Sequence, residues 1–233
     1  MKIALLGYGK MGKTIEKIAV KRGHDIIIKS SKQQDYNISE ADVAIDFSVP
    51  NAAYNNIVHC FKHQVPVISG TTGWLTQYND AIQLCDKYKG AFIYASNFSL
   101  GVNIFFELNK QLSKMMSQLK DYKVSIEEIH HTQKLDAPSG TAISLAEDII
   151  AHREDLKGWH LNHETDNKLP ISAKRIENVP GTHNILYKSD VDSITIGHEA
   201  HSRKGFALGA VIAAEWIQGK TGVFSMKDVL NIS

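Results

Sequence analysis

Cysteine is nearly missing from this chain: Cys60 and Cys85 are the only two, and they form no CxxC pair. A disulfide framework is thereby excluded, and a reducing compartment is expected. Long apolar runs are missing as well, none approaching the ~20 residues that a bilayer span requires. The first residues enter a strand without a signal-like stretch, so a cytoplasmic protein with no membrane partner is expected. Neither sign of charge dominates, 26 basic residues facing 25 acidic ones. General attraction to nucleic acid or to an anionic surface is therefore excluded, and any anion binding must be local. Internal repeats and low-complexity segments are absent too. What is present is 43% apolar residues, ample for a core, in 233 residues. At roughly 100–200 residues per domain, that length fits one large domain or two small ones.

The chain opens with a short apolar strand, Lys2 to Leu6, then Gly7-Tyr8-Gly9-Lys10-Met11-Gly12, then a helix with Ile15, Ile18 and Ala19 on one face. This fits GxGxxG, in which Gly7 permits the tight turn, Gly9 lets a pyrophosphate approach the backbone and Gly12 allows close helix packing. The same residues through Thr14 also satisfy GxxxxGK[ST], a nucleoside-triphosphate loop. Val43-Ala44-Ile45-Asp46 would then supply the magnesium-binding aspartate. The glycine at the third position is required only by the dinucleotide turn. A second strand, Ile26 to Ile28, ends at Lys29, about twenty residues past the middle glycine, where an NAD site usually carries Asp or Glu. Lys29-Ser30-Ser31-Lys32 suits the 2′-phosphate of NADPH instead, which favours NADPH over NADH without excluding use of both. The competing reading of these residues is a solvated charged loop.

Strands at Val43 to Phe47, Val65 to Ser69 and Phe92 to Ala95 alternate with helical segments at Asn51 to His63 and Leu75 to Tyr88. Such alternation predicts an α/β, Rossmann-like, doubly wound parallel sheet. Small or polar residues follow each strand: Gly7, Lys29, Asp46 to Ser48, Gly70-Thr71-Thr72-Gly73 and Ser96-Asn97-Phe98. Ligands bind along that carboxyl edge.

From Gly101 to Leu119 a linker runs into a long helix with Ile104, Phe105, Leu108 and Leu112 on its buried side. A strand then spans Tyr122 to Ile129, with two histidines, His130 and His131, at its end. Pro138-Ser139-Gly140-Thr141 precedes a helical run of Ala142, Ile143, Leu145, Ala146, Ile149 and Ile150. The hydroxyls of Ser139 and Thr141, the free N–H groups of the helix start and Lys134 in the loop make a cradle for a carboxylate or phosphate. A histidine beside it is suited to supply a proton. Adjacent strand histidines point to opposite faces, so one of them is equally readable as a packing residue, and two such neighbours do not share an ion. No metal is expected.

Downstream, 154–168 reads as a polar excursion in which Trp159 has no evident role. Strands follow at Ile171 to Glu177, His183 to Lys188 and Asp192 to Glu199. With 122–129 they predict a smaller α+β domain built on a mainly antiparallel or mixed four-stranded sheet. One face of that sheet is left for self-association. A last helix, Phe206 to Ile217, and an apolar tail are expected to return to the first domain. The domains expected are 1–100 with 203–233 for the dinucleotide, and 101–202 for substrate and oligomerisation.

Across essentially its whole length the chain resembles the dihydrodipicolinate reductases, also called 4-hydroxy-tetrahydrodipicolinate reductases, of the bacterial route to diaminopimelate and lysine. The resemblance is carried by Glu128-Ile129-His130-His131 through Lys134 to Asp136-Ala137-Pro138-Ser139-Gly140-Thr141-Ala142. Gly7 to Gly12, Asp46-Phe47-Ser48, Gly70 to Gly73, Asn97-Phe98-Ser99, Gly101-Val102-Asn103, Arg203 with Phe206, and Gly219 to Val229 support it. It implies a reduced nicotinamide cofactor, a cyclic dicarboxylate substrate and a homotetramer. It makes His130 the proton donor, with Lys134 as its catalytic partner and His131 on the substrate. Ser139, Gly140, Thr141 and Thr72 would hold a carboxylate. Gly7, Gly9, Lys10, Met11, Gly12, Lys29, Ser48, Gly70, Thr72, Ala95, Asn97, Phe98 and Arg203 would face the cofactor. His183, His198 and His201 receive no role, and strand-face packing is the simpler reading of them. The chain departs from the family pattern in the shortness of Lys29 to Ala41, in Lys29 where an acidic residue is expected, and in Ser96 where proline is frequent.

Two other functions stay open on the residues alone. A nucleotide hydrolase would depend on Lys13. A dinucleotide sensor would bind cofactor without turnover and be indifferent to His130.

Overall fold

The computed structural model describes residues 1–30, 36–163, 165–202 and 204–232. The chain divides into two compact units, one of 1–103 with 204–233 and the other of 104–203.

The first unit holds strands β1 (Lys2–Leu6), β2 (Asp25–Ser30), β3 (Val43–Asp46), β4 (Val67–Ser69) and β5 (Ala91–Tyr94), with helices α1 (Lys10–Lys21), α2 (Pro50–Lys62) and α3 (Tyr78–Lys87) between them. Helix α4 (Leu100–Met116) begins here and continues into the second unit. The second unit contributes β6 (Lys123–His130), α5 (Gly140–Ile150), β7 (Trp159–Leu161), β8 (Leu169–Arg175), β9 (Thr182–Lys188) and β10 (Ser193–Glu199). The chain then returns to the first unit with α6 (Lys204–Trp216), β11 (Gly222–Phe224) and α7 (Met226–Leu230).

In the first unit six parallel strands lie in the order β11-β5-β4-β3-β1-β2. Strand β1 is buried from Ile3 to Leu6 and β3 along its whole length, because helices cover both faces of a parallel sheet. One core packs Ile3, Leu5, Ile45 and Ile93 with residues of α1 and α6, and the other packs Ala4, Leu6, Phe61 and Phe92 with residues of α2 and α3. Helix α6 presents Ala207, Gly209, Ala210, Ala213 and Ala214 to the sheet. Small residues are demanded there, since a Cβ on Gly209 would lie 1.7 Å from the Phe98 carbonyl oxygen. Strand order reverses beside β1, which neighbours both β2 and β3, and the carboxyl edge at that switch is where such sheets bind ligands.

The second unit departs from expectation in two places. Its sheet has five strands, β10-β9-β6-β8-β7, mixed in direction: β6 is antiparallel to β9 and parallel to β8. The extra strand is β7, parallel to β8, and it falls inside the stretch read as a polar excursion. Three residues are too few for a period of two to show, and Trp159 is there because it packs against the unit's core. The buried stripe of α4 is also different. Ile104 is 45% exposed and Leu108 53% exposed, while Phe105, Asn109, Ser113 and Met116 are buried. Two polar side chains disguise the stripe. Asn109 donates to the Leu145 carbonyl at 3.1 Å, and Ser113 donates to the Asn109 carbonyl at 2.7 Å and meets the Tyr187 hydroxyl at 3.2 Å. Strand β6 alternates cleanly, with Val124, Ile126, Glu128 and His130 on its buried face.

Candidate active site

In the first unit, Gly7 has a φ of +101°, and its N–H donates to the Ser30 carbonyl at 2.8 Å, which fastens the turn to the end of β2. A Cβ on Gly7 would lie 2.1 Å from the Phe47 carbonyl oxygen, and one on Gly12 would lie 2.3 Å from the Gly7 oxygen. Around Gly9, the residue before the helix, a Cβ would meet nothing within 4 Å. Two glycines are thus demanded by the protein's own packing, and the middle one faces open space. A pyrophosphate fits this pattern, approaching the backbone and the exposed helix start that Lys10 and Met11 begin. Thr14 spends its hydroxyl on the Lys10 carbonyl at 3.0 Å. Asp46 is wholly buried, accepting from Asn56 at 2.9 Å, Ser69 at 3.0 Å and Thr71 at 2.7 Å. Neither presents a magnesium ligand, so the triphosphate-loop reading finds no support.

Asp46 instead organises the carboxyl edge. Thr71 also accepts from the Ser48 N–H at 2.9 Å, and Asn56 reaches the Ser48 hydroxyl at 3.2 Å. Burial raises the carboxyl pKa of Asp46 while those donors act to lower it. Gly70 is a glycine because the Phe47 ring lies 2.3 Å from where its Cβ would be. Thr72 beside it is exposed. Ala95 and Asn97 are half-buried, whereas the Phe98 ring is 1% exposed and packs on Phe47 at 5.8 Å between centroids. Lys29 is paired with Glu16 of α1 at 2.5 Å. Arg203, Ser31 and Lys32 lie outside the described residues.

In the second unit, the period of two that buries Val124 and Ile126 carries Glu128 and His130 onto the same buried face. Strand register supplies the rest. His183 of β9 stands directly opposite Glu128, and Arg175, the last residue of β8, is the register partner of His130. Both Glu128 oxygens accept from the Ser139 N–H at 3.1 Å, and Arg175 donates to one of them at 3.1 Å. His130 Nδ1 is 3.3 Å from Glu128 Oε2, and His183 Nε2 is 3.8 Å from it. Burial by itself would raise the Glu128 carboxyl, but His130, Ser139 and Arg175 hold it at about 2. His183 is driven the other way, to about 4, chiefly by burial and then by the nearby His130, and is therefore a neutral ring that meets the Ser139 hydroxyl at 3.1 Å.

Ser139 caps α5, its Oγ accepting from the Ala142 N–H at 3.2 Å. With both its N–H and its hydroxyl committed and 2% exposure, it serves the cradle from behind. Gly140 and Thr141, one exposed and one half-buried, begin the helix and carry N–H groups with no partner inside it. Lys134 is ion-paired with Asp136 at 2.8 Å, and Arg175 fixes the loop by donating to the Lys134 carbonyl at 3.3 Å and the Asp136 carbonyl at 2.6 Å. His131 is half-buried, off the strand. A Cβ on Gly181 would lie 3.0 Å from His130 Nε2, so glycine there leaves room at that nitrogen.

Sequence reasoning singled out neither Glu128 nor Arg175 as a site residue, and it read His183 as packing. Glu128 stood in the quoted motif two positions before His130, which is the signal that would have found it. Cross-strand register gives no such signal in sequence. The expectation of no metal rested on His130 and His131 alone. Glu128, His130 and His183 do bring three ligand atoms within 4.8 Å of one another, although Arg175 already serves as cation to that carboxylate.

A parallel sheet opening on this glycine turn defines the Rossmann-type, dinucleotide-binding oxidoreductases. The match is closer than a class. The family model "Dihydrodipicolinate reductase, N-terminus" covers residues 1–98, and "Dihydrodipicolinate reductase, C-terminus" covers residues 101–230. The chain is 60% identical to the 4-hydroxy-tetrahydrodipicolinate reductase of Christiangramia forsetii over 99% of this chain and 98% of that one. It is 37% identical to the enzyme of that name from Rickettsia bellii, over 94% and 90% of the two chains. A solved dihydrodipicolinate reductase from Paenisporosarcina sp. TG-14, with dipicolinate bound, shares the fold with a TM-score of 0.81 at 22% identity, covering 97% of each chain. The chain belongs to the dihydrodipicolinate reductase family.

Proposed function

We propose that this chain reduces 4-hydroxy-tetrahydrodipicolinate to tetrahydrodipicolinate with NADPH or NADH, in the diaminopimelate route to lysine. The observation that carries the reading is the placement of His130 beside a buried carboxylate, at the end of a strand that leads to the anion-ready start of α5. Among the described residues no helix is long and apolar enough to cross a membrane. A cytoplasmic enzyme is in keeping with that.

The first unit holds the dinucleotide through Gly7, Gly9, Lys10, Met11 and Gly12 at the pyrophosphate. Ser48, Gly70, Thr72, Ala95, Asn97, the backbone of Phe98, and Arg203 serve its remaining groups. Bound there, the nicotinamide supplies a hydride. Lys29 inclines the site weakly toward NADPH. In the second unit, Gly140 and Thr141 hold a substrate carboxylate with their N–H groups and the Thr141 hydroxyl, and Ser139 keeps the helix start in place. Loss of water and addition of hydride to the conjugated imine drive electrons through the ring, leaving an enamine carbon that needs a proton. His130 donates it, and the nearby Glu128 carboxylate stabilises the ring while it is charged. His131 contacts the substrate, and Lys134 offsets negative charge at the ring nitrogen. Self-association through the open face of the second sheet makes the enzyme a homotetramer.

The test is loss of reduced-nicotinamide absorbance, with NADPH and NADH in parallel, on substrate freshly made by condensation. Oxidation that requires that substrate is expected. Folded protein that oxidises neither cofactor, beside a working reductase, would overturn the reading and favour a dinucleotide sensor.

A further inference from the structure

The carboxylate that dinucleotide sites usually carry at the end of the second strand is missing from this sequence, and Lys29 stands in its place. The structure brings a carboxylate back from another element. Glu16, on the second turn of α1, reaches Lys29 with its Oε1 at 2.5 Å from Nζ, while its Oε2 accepts a hydrogen bond from the Tyr8 hydroxyl. Lys29 Nζ also lies 5.4 Å from the centre of the Tyr8 ring. Tyr8 belongs to the glycine turn itself, and the neighbouring Gly7 N–H is bonded to Ser30, the residue after Lys29. The trio therefore joins turn, helix and strand end at the place where the ribose of a dinucleotide binds in this fold. Lys29 and Tyr8 both favour the ionised Glu16, and the Glu16 side chain keeps 23% of its surface open.

We infer that Glu16 sets the NADPH-to-NADH ratio, acting both as the acceptor for the ribose hydroxyls and as the anion that tempers Lys29. This inference rests on the proposed cofactor site and names the residue that tunes it. A carboxylate so placed favours a ribose with free hydroxyls and opposes a 2′-phosphate. Lys29 does the reverse, and the ion pair makes each weaken the effect of the other. A purely structural role is the alternative, since a partly exposed pair that stitches helix to strand is common and contributes little. Such a role would leave the ratio unmoved.

The decisive variant is Glu16→Gln, which keeps the shape and removes the charge. Two readouts are needed: kcat/KM with each cofactor, and direct calorimetric binding of 5′-AMP and adenosine 2′,5′-bisphosphate, which needs no substrate and no turnover. The ratio of NADPH to NADH, and of bisphosphate to monophosphate, should rise about tenfold, as loss of one charge-assisted hydrogen bond implies. Glu16→Asp should restore much of the parent ratio, and Lys29→Met should lower it below the parent. If both nucleotides bind and neither ratio moves in folded Glu16→Gln, the inference is wrong while the cofactor site stands. If neither nucleotide binds the parent protein, the cofactor site and this inference fall together.

Discussion

Nδ1 of His130 stands 3.3 Å from Oε2 of Glu128, two residues back on the same buried face of β6, without the alignment of a hydrogen bond. At that separation the carboxylate acts on the ring chiefly through its charge. It is itself held by Arg175 and by the Ser139 N–H, so the pair sits on a fixed support.

Replacing His130 by Gln should lower kcat by roughly 10²–10⁴, the range that positioned general acids supply, with cofactor binding near that of the parent. Stopped-flow or steady-state turnover beside a cofactor titration checks both halves. Parent-like turnover would show that the proton comes from elsewhere.

Glu128→Gln should act as loss of a positioning residue. Turnover should fall while KM stays near that of the parent, because an imidazole that is charged only as it serves the reaction loses its neighbouring anion. Loss of the charge that Arg175 faces should also lower stability in chemical denaturation, on the order of 1 kcal/mol, since Arg175 keeps its bonds to the Lys134 and Asp136 carbonyls. A variant that loses stability while its kcat stays at the parent value would confine Glu128 to a structural role.

Acid should destabilise the protein in two stages. His183 has a folded pKa of about 4 against an ordinary 6.5, so between those values the unfolded chain binds the extra proton and stability falls as pH falls. The loss is on the order of 3 kcal/mol. Glu128, at about 2 against 4.5, contributes stability that is complete above 4.5 and disappears as pH drops toward 2. Urea titrations at pH 7, 5.5 and 4 measure the first stage, and His183→Asn should flatten it. An unchanged slope would mean that His183 is not the group responsible.

Gly9 and Gly12 should separate ligand from fold. Gly12→Ala forces a Cβ to within 2.3 Å of the Gly7 oxygen and should lower the melting temperature, whereas Gly9→Ala meets open space and should leave it unchanged while weakening the dinucleotide. Equal cofactor affinity in Gly9→Ala and the parent would place the pyrophosphate elsewhere.

Lys29→Glu should weaken NADPH relative to NADH by about tenfold, since a 2′-phosphate would then face two carboxylates. Paired Michaelis curves decide it, and an unchanged ratio would show that Lys29 does not reach that phosphate.

Local chemistry was enough for much of this protein. The glycine turn, the unbroken apolar strands and the alternating helices announce a parallel sheet covered on both faces, because each signal is a matter of neighbours along the chain. The same holds for the run from His130 to Thr141, in which a strand end, a loop lysine and a helix cap are adjacent in sequence. Where reading failed, the controlling contact was distant. The stripe of α4 was misplaced because Asn109 and Ser113 are buried by satisfying Leu145 and Tyr187, which hydropathy does not reveal. Strand β7 was too short to show a period, and only its pairing with β8 makes it a strand. Residue types and spacing thus determined the fold class and the glycine turn, and put His130 at a strand end just ahead of the start of α5. Strand register, a long-range property of the folded sheet, alone decided that Arg175 and His183 converge on Glu128, and that Glu16 meets Lys29 could be settled only once α1 was packed beside β2.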